Sequence, residues 1–344
     1  MGRPGEIGGD DRDDSSPASA AREEEFRLFV PGRVCLLGEH SDWAGEHRAT
    51  DPGVAPGTAI ISGTSQGIHA RIARHPDSLV LRSRATTGER FGPRSLPMER
   101  SALRAEARAG GFWSYLAGTA LECVERGVTG GLVIDNDRTD LPIRKGLSSS
   151  AAACVLAARA FNRAYELGWS LREEMEIAYR GETRTPSRCG RMDQACALGR
   201  SVVLMTFDAG HAEAEIIPVP RPIHLLVVDL HAGKDTPLIL ESLQRGFMAE
   251  AGTSKGLRHL LGSLNQEFVR RGAVALRQGD AEGLGAVMVE AQEAFDRFAR
   301  PFWPKELDAP ALHRLLEDPR LRALTWGGKG VGSQGDGAAQ FVAR

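Results

Sequence analysis

Residues 145–153 read Lys145-Gly-Leu-Ser-Ser-Ser-Ala-Ala-Ala153, a glycine and three serines that run directly into an alanine-rich segment. The spacing predicts a helix over 149–167 that ends at Gly168. Small residues let a backbone approach an anion closely, and the free amides and dipole at a helix start favour negative charge there. Arg144 and Lys145 add positive charge at the mouth of the loop. On this segment alone, a serine-rich helix start is also simply good N-capping. It contains neither G-x-x-x-x-G-K-[ST] nor G-x-G-x-x-G, so it is not a Walker or Rossmann phosphate loop.

Outward from this helix, short apolar and β-branched runs predict strands over 29–37, 58–62, 68–73, 78–82 and 131–135, in a mostly antiparallel sheet. Helical spacing recurs over 111–126 and over 170–180, where Leu171, Met175 and Ala178 share a side. After an apolar strand over 202–207, the proline-rich 218–222 reads as a connector, followed by a strand over 224–230. Helices are expected over 237–248, 256–271, 280–298 and 310–315, and a final strand over 338–342. The connector divides the chain into an N-terminal domain, 26–218, and a C-terminal domain, 219–344.

With 344 residues, 42% hydrophobic and 26% charged, the chain is long enough for two cores, which excludes a disulfide miniprotein or a mostly disordered chain. Residues 1–25 carry eight acids against three arginines without apolar periodicity and are expected to be a disordered tail. The net charge is −2, and the five lysines and 38 arginines form no basic block, so nucleic-acid and membrane-surface partners lack their electrostatic warrant. Five widely spaced cysteines without a C-x-x-C pair read as reduced thiols. No basic-then-apolar leader and no run of about 18 apolar residues occurs, so a cytoplasmic location is expected.

Three further segments carry chemistry. Residues 31–43, Pro-Gly-Arg-Val-Cys-Leu-Leu-Gly-Glu-His-Ser-Asp-Trp, end an apolar strand in Glu39, His40 and Asp42, a set of acceptors and a donor suited to several hydroxyls at once. A metal site is disfavoured because no partner His or Cys stands at ligand spacing; a solvated turn is the plain alternative. Residues 185–194, Thr-Pro-Ser-Arg-Cys-Gly-Arg-Met-Asp-Gln, place the carboxylate of Asp193 in a loop, where alone it reads as a cap or turn residue more readily than as a base. Residues 327–337 hold six glycines in eleven positions, a loop that persists only if a ligand or tight packing orders it.

In this order, the segments resemble the GHMP kinases, named for galactokinase, homoserine kinase, mevalonate kinase and phosphomevalonate kinase. Residues 31–43 are similar to the galactokinase signature P-G-R-V-N-L-I-G-E-H-T-D-Y, with Cys35, Leu37, Ser41 and Trp43 as the departures. Residues 146–151 match the phosphate loop G-L-S-S-S-A, and 189–194 resemble C-G-I-M-D-Q with Arg191 for isoleucine. The third motif departs: the family's T-G-A-G-x-G-G is replaced by the longer, Lys- and Asp-containing 327–337. Relatives generally continue beyond it through a helix and a strand, whereas seven residues follow here, so a shortened C-terminal domain is expected.

The resemblance implies an α+β, two-domain GHMP kinase fold, with an N-terminal ribosomal-protein-S5-like α/β domain and a C-terminal ferredoxin-like α+β domain. It implies ATP as phosphoryl donor with Mg²⁺, and a monosaccharide hydroxyl, the anomeric one, as acceptor. Lys145, Gly146, Leu147, Ser148, Ser149, Ser150 and Ala151 would hold the phosphates, and Ser150 and Glu182 the magnesium. Asp193 corresponds to the catalytic base, with Arg33 beside it to stabilise charge on the transferring group. Glu39, His40, Asp42 and the Gly190 backbone match positions that bind sugar hydroxyls. An acidic pair suits a neutral polyol better than a carboxylate-bearing substrate. A kinase of mevalonate or another non-sugar alcohol is the alternative, and a sugar- and ATP-binding regulator a third.

Overall fold

A computed structural model describes residues 25–84, 88–141, 146–187, 189–249 and 252–344. The first apolar run forms β1 (Phe26–Leu37), whose inward residues Val30, Val34 and Leu36 are buried. It turns through the short helix α1 (Ser41–Glu46) into β2 (Gly57–His75). β1 and β2 pair antiparallel from Phe26↔Ile72 to Leu37↔Ile60, with irregularities between Pro31 and Arg33 and between Cys35 and Leu37. The two strands expected at 58–62 and 68–73 are thus one 19-residue strand. Its polar middle looked like a break by composition, yet its glycines admit the neighbouring backbones closely enough for pairing to continue.

β3 (Ser78–Arg84), β4 (Arg90–Pro97), α2 (Arg100–Ala109), α3 (Ser114–Glu125) and β5 (Gly131–Thr139) follow. α4 (Ser149–Ala164), α5 (Leu171–Thr183), β6 (Val202–Asp208) and β7 (His211–Ile216) complete the first sheet and its helices. The strand order is β4-β3-β5-β2-β6-β7 with β1 also on β2, and every pairing is antiparallel except β3 with β5. β4 and α2 were not foreseen. β4 is a mostly exposed edge strand containing Pro93, without polar–apolar alternation, and α2 buries only Leu103 and Ala107 in an arginine-rich sequence.

The second half forms β8 (Leu225–Asp229), α6 (Thr236–Met248), α7 (Gly252–His259), α8 (Asn265–Gln278), α9 (Ala281–Phe298), β9 (Thr325–Gly330) and β10 (Ala338–Ala343). Three short helices lie between α9 and β9, each opening on a proline: Pro304–Leu307, Pro310–Leu316 and Pro319–Leu324. The continuous helix expected over 256–271 is instead α7 and α8 joined by a π-type turn, Leu260–Leu264, where Gly262 leaves helical geometry at φ −102°, ψ −106°. The expected glycine-rich loop is half strand: β9 runs to Gly330, and β10 lies between it and β8.

One core runs beneath both sheets. Leu36, Leu37 and Ile60 of the first half share a buried cluster with Phe268, Val269, Leu276, Leu284, Val287 and Met288 of α8 and α9. Polar pins cross the same boundary: Gln340 Nε2 donates to the Cys35 carbonyl at 2.6 Å, and Gln266 Nε2 to that of Pro56 at 2.8 Å. All five cysteines are free. Among the described residues no helix is long and apolar enough to cross a membrane. The end of β1, the start of α4, the turn after α5 and β9 therefore meet at one place.

α9 approaches β9 closely because Gly285 has no side chain. A Cβ there would stand 2.6 Å from both the carbonyl carbon and the Cβ of Trp326, which belong to the strand itself. Gly285→Ala should therefore lower stability by about 1–2 kcal/mol, overpacking outweighing the gain in helix propensity. The check is a lower denaturant midpoint at unchanged slope.

Candidate functional site

At the start of α4, Gly146 has φ +77° and Ser148, the N-cap, φ +55°, both left-handed. Ser148 makes no side-chain capping bond, and its buried hydroxyl has no partner within the chain. The plain capping reading of the serine run therefore does not describe this helix, whose N-cap side chain satisfies none of its first amides. Val331 and Gly332 of the glycine-rich segment pack against Gly146. Lys145 and Arg144, expected at this mouth, lie outside the described residues.

Arg33 on β1 joins this loop to the acidic side of the cleft. Its Nη1 donates to the Gly146 carbonyl at 2.8 Å, its Nη2 pairs with Asp193 Oδ1, and its backbone N–H reaches the Leu147 carbonyl at 3.2 Å. Burial is the largest influence and lowers the arginine's pKa, yet its neighbours, Asp193 first among them, together outweigh it and the net shift is upward, so the guanidinium stays charged. Asp193 opens a 3₁₀ turn, Asp193–Leu198, and is the more accessible partner, its side chain 23% exposed against 7% for Arg33.

Two more carboxylates face Asp193. Glu182, near the end of α5, is buried; Gln194 Nε2 donates to it at 2.9 Å, Ser187 Oγ at 3.3 Å, and the Ser150 hydroxyl bonds it as well. Burial, then the nearby Asp193 charge, pushes its pKa up to about 7. Asp42 is pushed up to about 6 by the same two causes in the same order, against the pull of the Trp43 and Met192 amides. A Cβ on Gly190 would lie 1.8 Å from Asp42 Oδ2, so only glycine lets this loop close over the carboxylate. The Met192 amide then donates to Asp42 at 3.4 Å.

The opposite wall holds Glu39 and His40. Glu39 accepts from Lys329 Nζ, both residues being almost wholly buried, and Lys329 also donates to the Gly330 carbonyl at 3.0 Å. Asn265 Nδ2 donates to the Glu39 carbonyl at 3.3 Å, so the second half of the chain grips Glu39 twice. Sequence reasoning did not find Lys329. The available signal was a lysine, one of five in the chain, at a position that faces inward once the glycine-rich segment is read as a strand. His40, at φ +66°, is buried; burial first, then Lys234 and Lys329, lower its pKa to about 3, so the ring is neutral.

Arg191 points to α5 and α1, stacking on Tyr179 at 4.0 Å and pairing with Glu176 and Glu46. Among the described residues no group of three or more His, Cys, Asp or Glu side chains is arranged to hold a metal. An open cavity of about 820 Å³ lies beside Trp43, lined also by Glu46, His47, Glu241, Gln244 and Arg245, and contains none of Arg33, Asp42 or Asp193. Around Arg33 the structure gathers a helix start without a side-chain cap, a carboxylate in contact with a buried arginine, and the buried polar side chains Glu39, His40, Asp42 and Glu182. That arrangement suits transfer of a charged group to an alcohol.

The family description "GHMP kinases N terminal domain" matches residues 114–200. The galactokinase of Mannheimia succiniciproducens is 27% identical over 284 residues, covering 80% of this chain and 69% of that protein. The structure of Lactococcus lactis galactokinase complexed with galactose superposes with a TM-score of 0.71 at 16% identity, covering 93% of this chain and 86% of that one. The Methanococcus jannaschii mevalonate kinase superposes with a TM-score of 0.68 at 14% identity, covering 94% and 92%. These superpositions show the two-domain kinase fold.

Lys329→Met should cost about 3–5 kcal/mol, because it leaves Glu39 buried without its counter-charge. The double variant Glu39→Gln/Lys329→Met should recover most of that loss, as read by chemical denaturation. A carboxyl whose folded pKa is raised stabilises the fold only while protonated, so the Glu182 contribution fades as pH rises from about 4.5 to about 7. The stability of Glu182→Gln relative to wild type should accordingly climb across that window and level off above it in ligand-free protein.

Proposed function

We propose that this chain, a galactokinase-like member of the GHMP kinase superfamily and hence a small-molecule kinase, transfers the γ-phosphoryl group of ATP to the anomeric hydroxyl of a monosaccharide. The observation that carries the reading is Arg33, which touches the phosphate loop at Gly146 with one nitrogen and Asp193 with another. Donor and acceptor chemistry are thereby held in contact through one rigid side chain.

In this reading the amides of Gly146–Ala151 and the α4 dipole bind the triphosphate, with the Ser148 hydroxyl as a further donor. Asp193 accepts the proton of the acceptor hydroxyl as it attacks, and Arg33 stabilises charge on the transferring group. Glu39, His40, Asp42 and the Gly190 backbone orient the sugar. Ser150 and Glu182 suit Mg²⁺: they are hydroxyl and carboxylate oxygens in mutual contact. Bound there, magnesium would offset the charge of the phosphates.

The buried Asp42 beside Asp193 favours a neutral polyol over an acceptor carrying its own carboxylate. We place the domain division, 26–218 and 219–344, in the connector between β7 and β8, and the enzyme in the cytoplasm on its unpaired cysteines. The test is ADP release with Mg·ATP over a panel of monosaccharides and mevalonate. A monosaccharide should be turned over, and Asp193→Asn should lower kcat by a factor of about 10²–10⁴ with sugar binding retained. Unchanged turnover in that variant, or turnover of mevalonate alone, overturns the proposal.

A further inference from the structure

The ring of His40 is fixed on several sides. Phe295 stacks on it at 5.8 Å and 22°, Trp43 meets it edge-on at 6.0 Å and 70°, and Lys234 and Lys329 are the charged groups that act on it. Lys234 is itself engaged, donating to the Val331 and Gln334 carbonyls at 3.1 and 2.9 Å. Trp43 Nε1 donates to His40 Nδ1 at 3.1 Å, in a fully buried contact. An indole N–H can only donate, so Nδ1 must present its lone pair, and a neutral ring then carries its one proton on Nε2. His40 Nε2 is buried, in a residue 5% exposed; the Ser333 backbone lies close enough to act on the ring, but no hydrogen bond of good geometry reaches Nε2. A buried donor with only a poorly aligned partner is open to a better acceptor.

We propose that Trp43 is a positioning residue that holds His40 in the Nε2-protonated tautomer, presenting Nε2–H as a donor to an oxygen of the acceptor sugar. The galactokinase-like signature has tyrosine at this position, and a phenol can accept as well as donate, which leaves either tautomer open. Tryptophan removes that choice. The identity of the ligand rests on the sugar-kinase reading, whereas the tautomer is a property of the protein without any ligand.

The experiment is a long-range ¹H–¹⁵N spectrum of the full chain with ¹⁵N-labelled histidine and no sugar, the His40 signals being assigned by their loss in His40→Gln. The wild type should show a single neutral Nε2–H pattern, and Trp43→Phe a mixture of tautomers. In kinetics, Trp43→Phe should raise the sugar KM about tenfold with kcat nearly unchanged, the size expected for one misplaced hydrogen bond. In the His40→Gln background, where a side-chain amide replaces the ring, Trp43→Phe should add little further. A wild-type ring protonated on Nδ1 overturns the proposal, and that spectrum requires no variant to fold. So does a Trp43→Phe protein that melts lower but keeps its tautomer and its KM, or one whose KM rises equally with and without His40. Because the spectra need no substrate, failure of the tautomer lock is read separately from failure to find a sugar.

Discussion

The contact of Arg33 with both Asp193 and Gly146 is the constraint on which the cleft depends. An arginine is the one side chain that stays charged when buried and offers several donors in a fixed fork, so it can serve two partners without choosing between them. Arg33 projects from β1, which β2 pairs along most of its length, so its origin is as stiff as the sheet. The loop at Gly146–Ser148 and the 3₁₀ turn are the softer parties, a glycine- and serine-rich segment and a six-residue turn. Their relative position is set by the guanidinium between them.

Around that pair the cleft is a balance of buried charge. Asp42 and Glu182 each lie near Asp193, while Glu39 is paired with Lys329. Burial, then repulsion from Asp193, raises the pKa of both Asp42 and Glu182. The two halves of the chain supply the opposite signs of the Glu39–Lys329 pair: Glu39 follows β1, and Lys329 comes from β9. A salt bridge this deep repays its desolvation only if both partners are present, so the pair reports whether the halves are correctly docked more than it adds to stability. The same halves share an apolar core, which supplies the driving force.

What the sequence disclosed follows from the range of the interactions involved. The alanine-rich α4 and the apolar β1, β5 and β6 were legible because burial imposes a pattern on consecutive residues. β4 and α2 were not, since an edge strand and an arginine-rich surface helix bury too little to leave one. The unbroken β2 was hidden because Gly63 and Gly67 look like turn residues, whereas here they make room for neighbouring backbones. In the cleft, the resemblance carried Arg33 and Asp193 to positions that prove adjacent, but Lys329 lies 290 residues from Glu39 and no local pattern links them. The pairing becomes visible only when β9 is known to be a strand that reaches the end of β1.

The departures from the galactokinase-like pattern are unevenly placed, and the geometry gives a reason. Residues 146–151, Arg33 and Asp193 match the galactokinase-like motifs residue for residue. Trp43, Arg191 and Lys329 bear on the other end: Trp43 lies in α1, Arg191 ties α1 to α5 through Glu46 and Glu176, and Lys329 holds Glu39 just before α1. All three act on a six-residue helix that follows two left-handed residues, Gly38 and His40, and so has little stability of its own. Bracing it from three directions fixes Glu39, His40 and Asp42 relative to one another. On the proposed sugar-kinase reading, that mutual spacing would decide which alcohol fits.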